Sequence, residues 1–204
     1  FATFDSSKKY TFSFDVKVTN FGDDEPMPAF ATWNREAYCA FGGYLNQIEF
    51  RSGNYSGQLG IRAGDKTDAY TKGGWTNDLS SYTLNTVYKC TIEWSPSAKT
   101  VVSTVKNGSA IVAQGIRTSN DYGTVNKYTR SFVWRCEDGA FELDNFSLSD
   151  GSKTYTQSFS VDSASVMTGS DIWGIEDERV TNALEPTLQN GVLKLGEKSS
   201  VRFN

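Results

Sequence analysis

Apolar and polar residues alternate with period two along most of this chain. Such alternation sends successive side chains to opposite faces of an extended strand, one toward a core and one away from it. In the first run, Tyr10, Phe12, Phe14, Val16 and Val18 share one face, and Thr11, Ser13, Asp15, Lys17 and Thr19 the other. Residues 21–28 break the pattern with Gly, Pro and acids and read as a loop. Strands are expected next at Ala29–Trp33, Tyr38–Phe41, Tyr44–Arg51 and Gln58–Ala63. In the last two, Ile48, Phe50, Leu59 and Ile61 align as core, while Gln47, Glu49, Arg51, Gln58 and Arg62 share a polar face. Residues 64–81 read as a long polar loop holding Tyr70 and Trp75.

The pattern resumes at Val87–Trp94 and Thr100–Lys106, joined by the turn Ser95-Pro-Ser-Ala98. Asn107-Gly108 is a strong hairpin signal, since a type I′ turn needs positive φ at both central residues. It leads into Ala110–Ala113, then Ser131–Cys136, Ala140–Leu148 and Tyr155–Val161. Residues 166–188 look irregular, with one short helix near Glu176–Ala183, and Gly191–Leu195 and Ser200–Phe203 close the chain. About a dozen strands with little helix predict an all-β fold, an antiparallel β-sandwich. No repeat or linker divides the 204 residues, a length that suits one domain with a sizeable core.

Composition removes several function classes. The net charge is −4 with both signs interspersed and no basic run, which disfavours nucleic acid and anionic membrane as partners. No apolar stretch approaches the ~20 residues of a membrane span, so no membrane insertion is expected. The chain begins at Phe1 without a signal peptide, as expected of a mature or excised piece of a larger secreted or cell-surface (extracellular) protein carrying other modules. A monomer is expected. Histidine is absent, which excludes the Ser-His-Asp triad, the Cys-His pair and His-rich zinc sites. The cysteines are Cys39, Cys90 and Cys136, and at least one must be unpaired. Cys90 and Cys136 alternate with large apolar residues, so they are either buried thiols acting as small hydrophobes or a disulfide.

Three passages carry a resemblance. One is Leu84-Asn-Thr-Val-Tyr-Lys-Cys-Thr-Ile-Glu-Trp94 with the Val-rich strand and Lys106-Asn-Gly108 behind it; the others are Phe141-Glu-Leu-Asp-Asn-Phe-Ser-Leu148 and Gly191-Val-Leu-Lys-Leu195. They resemble, in turn, a central hairpin, the terminal strand and an early strand of the concanavalin A-like, or laminin-G-like, jelly-roll family of lectins, glucanases and carbohydrate-binding modules. In that family the early strand precedes the one matched by residues 8–18; here it lies at the far end. The resemblance implies one circularly permuted jelly-roll domain over residues 1–204, with 155–204 supplying strands that usually precede 8–18. A tail that begins a second domain, or swaps into a neighbour, remains open beside it.

Glycan binding uses flat rings that stack on sugar C–H faces and planar side chains that hydrogen-bond hydroxyls. Trp75 and Tyr70, and Trp33 with Tyr38, are the ring candidates, each also suited to anchoring a loop on the sandwich rim. Trp94 and Trp134 alternate with core residues and are expected to be structural. The face of Gln47, Glu49, Arg51, Gln58 and Arg62 is either the saccharide surface that the family places on its concave sheet or a solvated face laced by ion pairs of small worth. The glucanase strand Glu-x-Asp-x-x-Glu, which would supply nucleophile and acid, is missing from the sequence. The lyase set of Arg, Gln, His and Tyr lacks its His. The resemblance also implies a structural Ca²⁺ at Asp144, with Asp162 the nearest second acid. The expectation is a non-catalytic carbohydrate-binding module of a secreted or cell-surface protein, bacterial by expectation, holding a polysaccharide such as starch or another glucan. A lyase or hydrolase using Glu49, Arg51 and a Tyr is the enzymatic alternative, and a structural or adhesin domain that binds protein is another.

Overall fold

The computed structural model describes residues 4–21, 35–41, 46–51, 57–63, 69–72, 80–118, 120–123, 132–136, 139–159, 173–174, 187–196 and 200–203. The strands are β1 (Tyr10–Asn20), β2 (Arg35–Phe41), β3 (Asn46–Arg51), β4 (Gln58–Ala63), β5 (Ala69–Lys72), β6 (Ser80–Ser81), β7 (Val87–Ser95) and β8 (Thr100–Asn107). They continue as β9 (Ala110–Thr118), β10 (Phe132–Arg135), β11 (Ala140–Ser149), β12 (Thr154–Gln157), β13 (Trp173–Gly174), β14 (Thr187–Gln189), β15 (Val192–Leu195) and β16 (Ser200–Phe203). A nine-stranded sheet runs β14-β15-β11-β1-β7-β8-β9-β5, with β12 also on β11. A seven-stranded sheet runs β13-β16-β10-β2-β3-β4-β6. The pairings are antiparallel throughout the described ladders.

The period-two pattern becomes the core. Along β1, burial alternates so that Tyr10, Phe12, Phe14, Val16 and Val18 are all buried. The inner faces of the two sheets meet through rings. Trp134 of β10 lies edge-on to Phe14 of β1 and to Phe146 of β11, each at 5.3 Å, and Phe50 of β3 meets Tyr88 of β7 at 5.7 Å. Each such ring contributes roughly 1.5–3 kcal/mol by leaving water. One end is closed by Trp94, stacked on Tyr10 at 5.3 Å and edged by Phe4 at 5.5 Å. The Trp94 Nε1–H donates to the main-chain oxygen of Tyr122 at 2.7 Å, in the 3-10 turn Asn120–Gly123. Both tryptophans expected to be structural are fully buried. Cys90 and Cys136 are buried thiols rather than a disulfide. Burial pushes the Cys90 thiol well above 9.0.

Several expectations need correction. The stretch read as loop contains β5, so Tyr70 is an edge-strand residue of the nine-stranded sheet, opposite Gly115 in register. Strand β9 runs on past Ala113 to Thr118, because Gly115 keeps the ladder between Ser103 and Tyr70. At the β8–β9 hairpin, Asn107 pairs with Ala110 and the two-residue loop is Gly108-Ser109. Gly108 has φ 56°, the Gly-first pattern of a type II′ turn rather than the expected type I′. The type I′ signature occurs instead at Asn190-Gly191, with φ 54° and 76°, joining the expected strand β15 to β14, which begins inside the stretch expected to be irregular. Strand β11 carries a bulge: Asn145 has φ 51°, and the inward series switches from Phe141 and Leu143 to Phe146 and Leu148. The tail pairs with both sheets, β15 on β11 and β16 on β10. The strand expected at Ala29–Trp33 and the helix near Glu176–Ala183 lie outside the described residues. No helix among the described residues is long and apolar enough to cross a membrane.

Candidate functional site

The seven-stranded sheet is built so that one face is core and the other is polar. Ile48, Phe50, Leu59, Ile61 and Trp134 are buried on the core face. Alternation therefore places their strand neighbours on the opposite face. Register sets those neighbours in rows. One row reads Ser200, Arg135, Tyr38, Glu49, Gly60 across β16, β10, β2, β3 and β4. The next reads Arg202, Val133, Ala40, Gln47, Arg62 across the same strands. A third sets Arg35 opposite Arg51, just past a bulge in β2.

Five strands thus converge on one sheet face. Tyr38, Gln47, Glu49, Arg51 and Arg62, all singled out as candidates, occupy neighbouring positions on it. Tyr70 does not; it belongs to the other sheet. Trp33 and Trp75 lie outside the described residues. The surface also gains residues that sequence reasoning missed: Arg35, Arg135 and Arg202. Their alternation with Trp134, Val201 and Phe203 hinted at an outward face, but nothing local says that β10 and β16 flank β2.

Glu49 departs from simple alternation. It is completely buried although it sits on the polar face, and Gly60 beside it is buried as well. The face is therefore not solvated at this position. Gln58, the β4 residue opposite Ser81, holds its Oε1 out of solvent with no hydrogen-bond partner. An acceptor left unmet in this way costs about 1–3 kcal/mol, so this face is not optimised for stability alone.

The Asp144 region lies on the outer face of the nine-stranded sheet. Asp144 stands directly opposite Asp15 in the β1–β11 ladder. The bulge at Asn145 holds both: its main-chain N–H donates to Asp144 Oδ1 at 2.7 Å, and its Nδ2 donates to Asp15 Oδ2 at 2.8 Å. Partial burial, with the nearby Asp15 charge adding to it, raises the Asp144 carboxyl above 3.8 against the lowering effect of the Asn145 N–H. A hollow of about 150 Å³ opens here, lined by Asp15, Lys17, Val87, Asp144, Asn145 and Val192 among others. It shares Glu142 with a wider hollow of about 490 Å³ reaching Thr187 and Gly196. Glu142 is held by Lys17 at 2.5 Å and Lys194 at 3.7 Å. Asp162, the expected second acid, lies outside the described residues. Among the described residues no three His, Cys, Asp or Glu groups converge as a metal cluster.

No family profile and no curated protein matches the chain. Among solved structures it is similar to the catalytic domain of the glycoside hydrolase family 131 protein from Coprinopsis cinerea, at 16% identity and a TM-score of 0.46, over 75% of this chain and 61% of that one. The chain thus spans less than two thirds of that domain. It is also similar to peanut lectin (12%, TM-score 0.36, 97% and 72% of the two chains) and to lectin II from Ulex europaeus (8%, 0.34, 96% and 72%). Likeness at this level assigns no activity and no residue role here. The pairing and burial described above establish an all-β, two-sheet antiparallel sandwich in their own right.

Proposed function

We propose that this domain is a carbohydrate-binding module, working outside the cell as part of a secreted or cell-surface protein, that holds a polysaccharide on the polar face of its seven-stranded sheet. The observation that carries the reading is the register of β2, β3 and β4, which sets Tyr38, Gln47, Glu49, Arg51 and Arg62 at neighbouring positions on one face of the sheet. A ring and planar hydrogen-bonding groups on adjacent strands are the residue types that recognition of a sugar's C–H faces and hydroxyls requires. The sequence resemblance to jelly-roll lectins and binding modules supports the same surface.

A second, enzymatic reading has one pairing in its favour: Tyr38 stands directly opposite Glu49. A phenol beside a carboxylate can move a proton. Glycoside hydrolysis, however, needs two carboxyl groups flanking the bond, and Glu49 is the only acid in the two central rows. Affinity electrophoresis against a polysaccharide panel separates the readings, using wild type, Tyr38→Ala, Trp33→Ala and Trp75→Ala. Retardation that is lost in a ring variant, with polymer unchanged, supports the module. New reducing ends or an ultraviolet-absorbing product establishes the enzyme. No retardation by any glycan removes both and leaves a protein-binding domain.

Two further expectations stand as proposals. Calcium would be held at Asp144, with Asp15 and Asn145 now the neighbouring oxygen donors. Hard carboxylate and amide oxygens suit that ion, and it would offset the repulsion between the two acids. We also read the chain as one circularly permuted jelly roll. The pairing of β15 with β11 and β16 with β10 supports this. A chain ending at residue 186 should then fail to fold, and a native-like melt of that chain would refute the reading.

A further inference from the structure

We infer that the β8–β9 hairpin carries a self-modification site: in the folded protein Asn107 deamidates through a cyclic imide with the Gly108 nitrogen, while the same dipeptide at Asn190-Gly191 is protected. The inference is independent of the carbohydrate reading. The reaction needs no reagent but water. The main-chain nitrogen of Gly108, its proton removed, attacks Cγ of the Asn107 side chain. A new C–N bond closes a five-membered ring, the bond to the side-chain nitrogen breaks, and ammonia leaves with that proton. Water then opens the imide at either carbonyl, leaving aspartate or the β-linked isoaspartate. Nothing is oxidised or reduced, and the chain adds one negative charge to its net −4.

Backbone conformation separates the two sites. Ring closure brings the asparagine Cβ and the next nitrogen onto the same side of the Cα–C bond. Asn107 ends strand β8, and an extended residue with ψ near +135° lies about 105° of rotation from that geometry. The first part of this rotation stays within the broad β region. Asn190 has φ 54°, in the left-handed region, where ψ near +47° puts the nitrogen roughly 170° away, almost on the opposite side. A residue with a Cβ has little other allowed space at that φ, so Asn190 must reverse φ as well. Glycine follows in both cases and offers no side chain to hinder the attack. At Gly108 nothing lies within 4 Å of where a Cβ would stand.

Packing separates them further. Two ladder pairs stand between the β8–β9 loop and the bulge behind it, Lys106 with Ile111 and Asn107 with Ala110. Residues 106–111 are all exposed, whereas Val105 and Ala113, on the far side of the bulge, are buried. The tip can therefore open without uncovering a core side chain, which is the condition for local opening at small free-energy cost. The other hairpin is held in place: Leu188 packs on the core, and its cross-strand partner Leu193 is fully buried. Charge acts in the same direction. Lys89 and Lys106 are direct cross-strand partners next to the tip, and both are exposed. Two ammonium groups there favour the negative nitrogen that attacks and the carboxylate that results.

The test is peptide mapping after the folded protein has been held at mildly alkaline pH, beside a sample unfolded in guanidinium. Conversion is read at Asn107 in the tryptic peptide 107–117 and at Asn190 in the tryptic peptide 180–194. Fragment spectra locate the converted residue, and enzymatic methylation counts isoaspartate. In the folded protein Asn107 should convert roughly tenfold faster than Asn190. In guanidinium the two rates should draw level, because both sites are then the same flexible dipeptide. Native hydrogen exchange read by NMR gives an independent measure. The Ala110 amide, beside the β8–β9 loop, should exchange faster than the Val192 amide, beside the other loop. Asn107→Gln, which cannot close the five-membered ring, should remove the fast conversion and leave the melting temperature unchanged. Equal rates at the two sites in the folded protein, faster conversion at Asn190, or conversion at Asn107 only after denaturation overturns the inference. Slower exchange at Ala110 than at Val192 removes its structural ground and overturns it too.

Discussion

Replacing Trp94 by Phe tests how the sandwich is closed at one end. The indole is fully buried, stacked on Tyr10, and its Nε1–H donates to the Tyr122 main-chain oxygen at 2.7 Å. Phenylalanine keeps a ring in place but has no donor. The Tyr122 oxygen then sits buried without that partner, a loss of about 1–3 kcal/mol. The smaller ring also leaves on the order of 40 Å³ unfilled, about 1 kcal/mol at 24 cal/mol per Å³. The expected destabilisation is about 3 kcal/mol, a lowering of the melting temperature of about 6–12 °C for a domain of this size. Urea unfolding followed by far-ultraviolet circular dichroism measures it without relying on the altered fluorescence. The midpoint should fall while the slope stays unchanged, because the same surface is exposed on unfolding. A loss below about 1 kcal/mol would refute the hydrogen bond to Tyr122 and with it the anchoring of the 3-10 turn, since ring burial alone survives the change.

Other perturbations read other parts of the molecule. Asp150 accepts from the Lys8 ammonium at 2.5 Å and from the main-chain N–H groups of Ser152 and Lys153, and its carboxyl is held well below 3.8 by Lys8 first and those groups next. That stability is present above pH 3.8 and is lost as pH falls through the lowered folded value. Asp150→Asn should therefore melt lower than wild type at neutral pH and converge with it in strong acid; a gap independent of pH would contradict the linkage. Asp144 has the opposite sign: its raised carboxyl favours the fold below pH 3.8, and this is lost as pH rises through the folded value. Without calcium, Asp144→Asn should raise stability at neutral pH by less than about 1 kcal/mol, since the group is largely solvent-screened. With calcium the wild type should gain melting temperature and the variant should not; identical melts in calcium and chelator would sink the calcium proposal. Iodoacetamide at mildly alkaline pH should reach Cys90 only after denaturation, because burial keeps that thiol protonated. Peptide mass mapping checks this, and rapid native labelling of Cys90 would refute it.

The sequence made the strands legible and their neighbours illegible. Period two is a local signal, so the inward faces of β1, β3, β4 and β7 could be read directly, and Gln58–Ala63 and Ser200–Phe203 match the observed bounds. Local chemistry misled where two sites compete for one rule. Asn-Gly occurs at 107–108 and at 190–191, and only the second takes positive φ at both residues. At the first, the bulge between Val105 and Lys106 shifts the register, so that Gly108-Ser109 forms the loop. The bulge in β11 was legible and missed: Phe141 and Leu143 are odd-numbered, Phe146 and Leu148 even, and an Asn stands at the switch. Glu49 was beyond reach, since alternation says which face a residue takes and nothing about what covers that face.

Lateral order matters most for function, and it is non-local. Residues 35–62 supply one half of the polar face; 132–135 and 200–203 supply the other. No spacing rule links them, so the arginine set emerges only when the register is known. The two outer faces then differ in kind. On the nine-stranded sheet, charges meet partners within the face: Lys17 and Lys194 with Glu142, and Lys9, just before β1, with Glu93. Such pairs are each worth little. On the seven-stranded sheet the register sets Arg35 opposite Arg51, Tyr38 opposite Glu49 and Gln47 opposite Arg62, and Glu49 is fully buried. Burying a carboxylate is costly unless it is paired, so Glu49 is the position on this face where a substitution is felt most strongly.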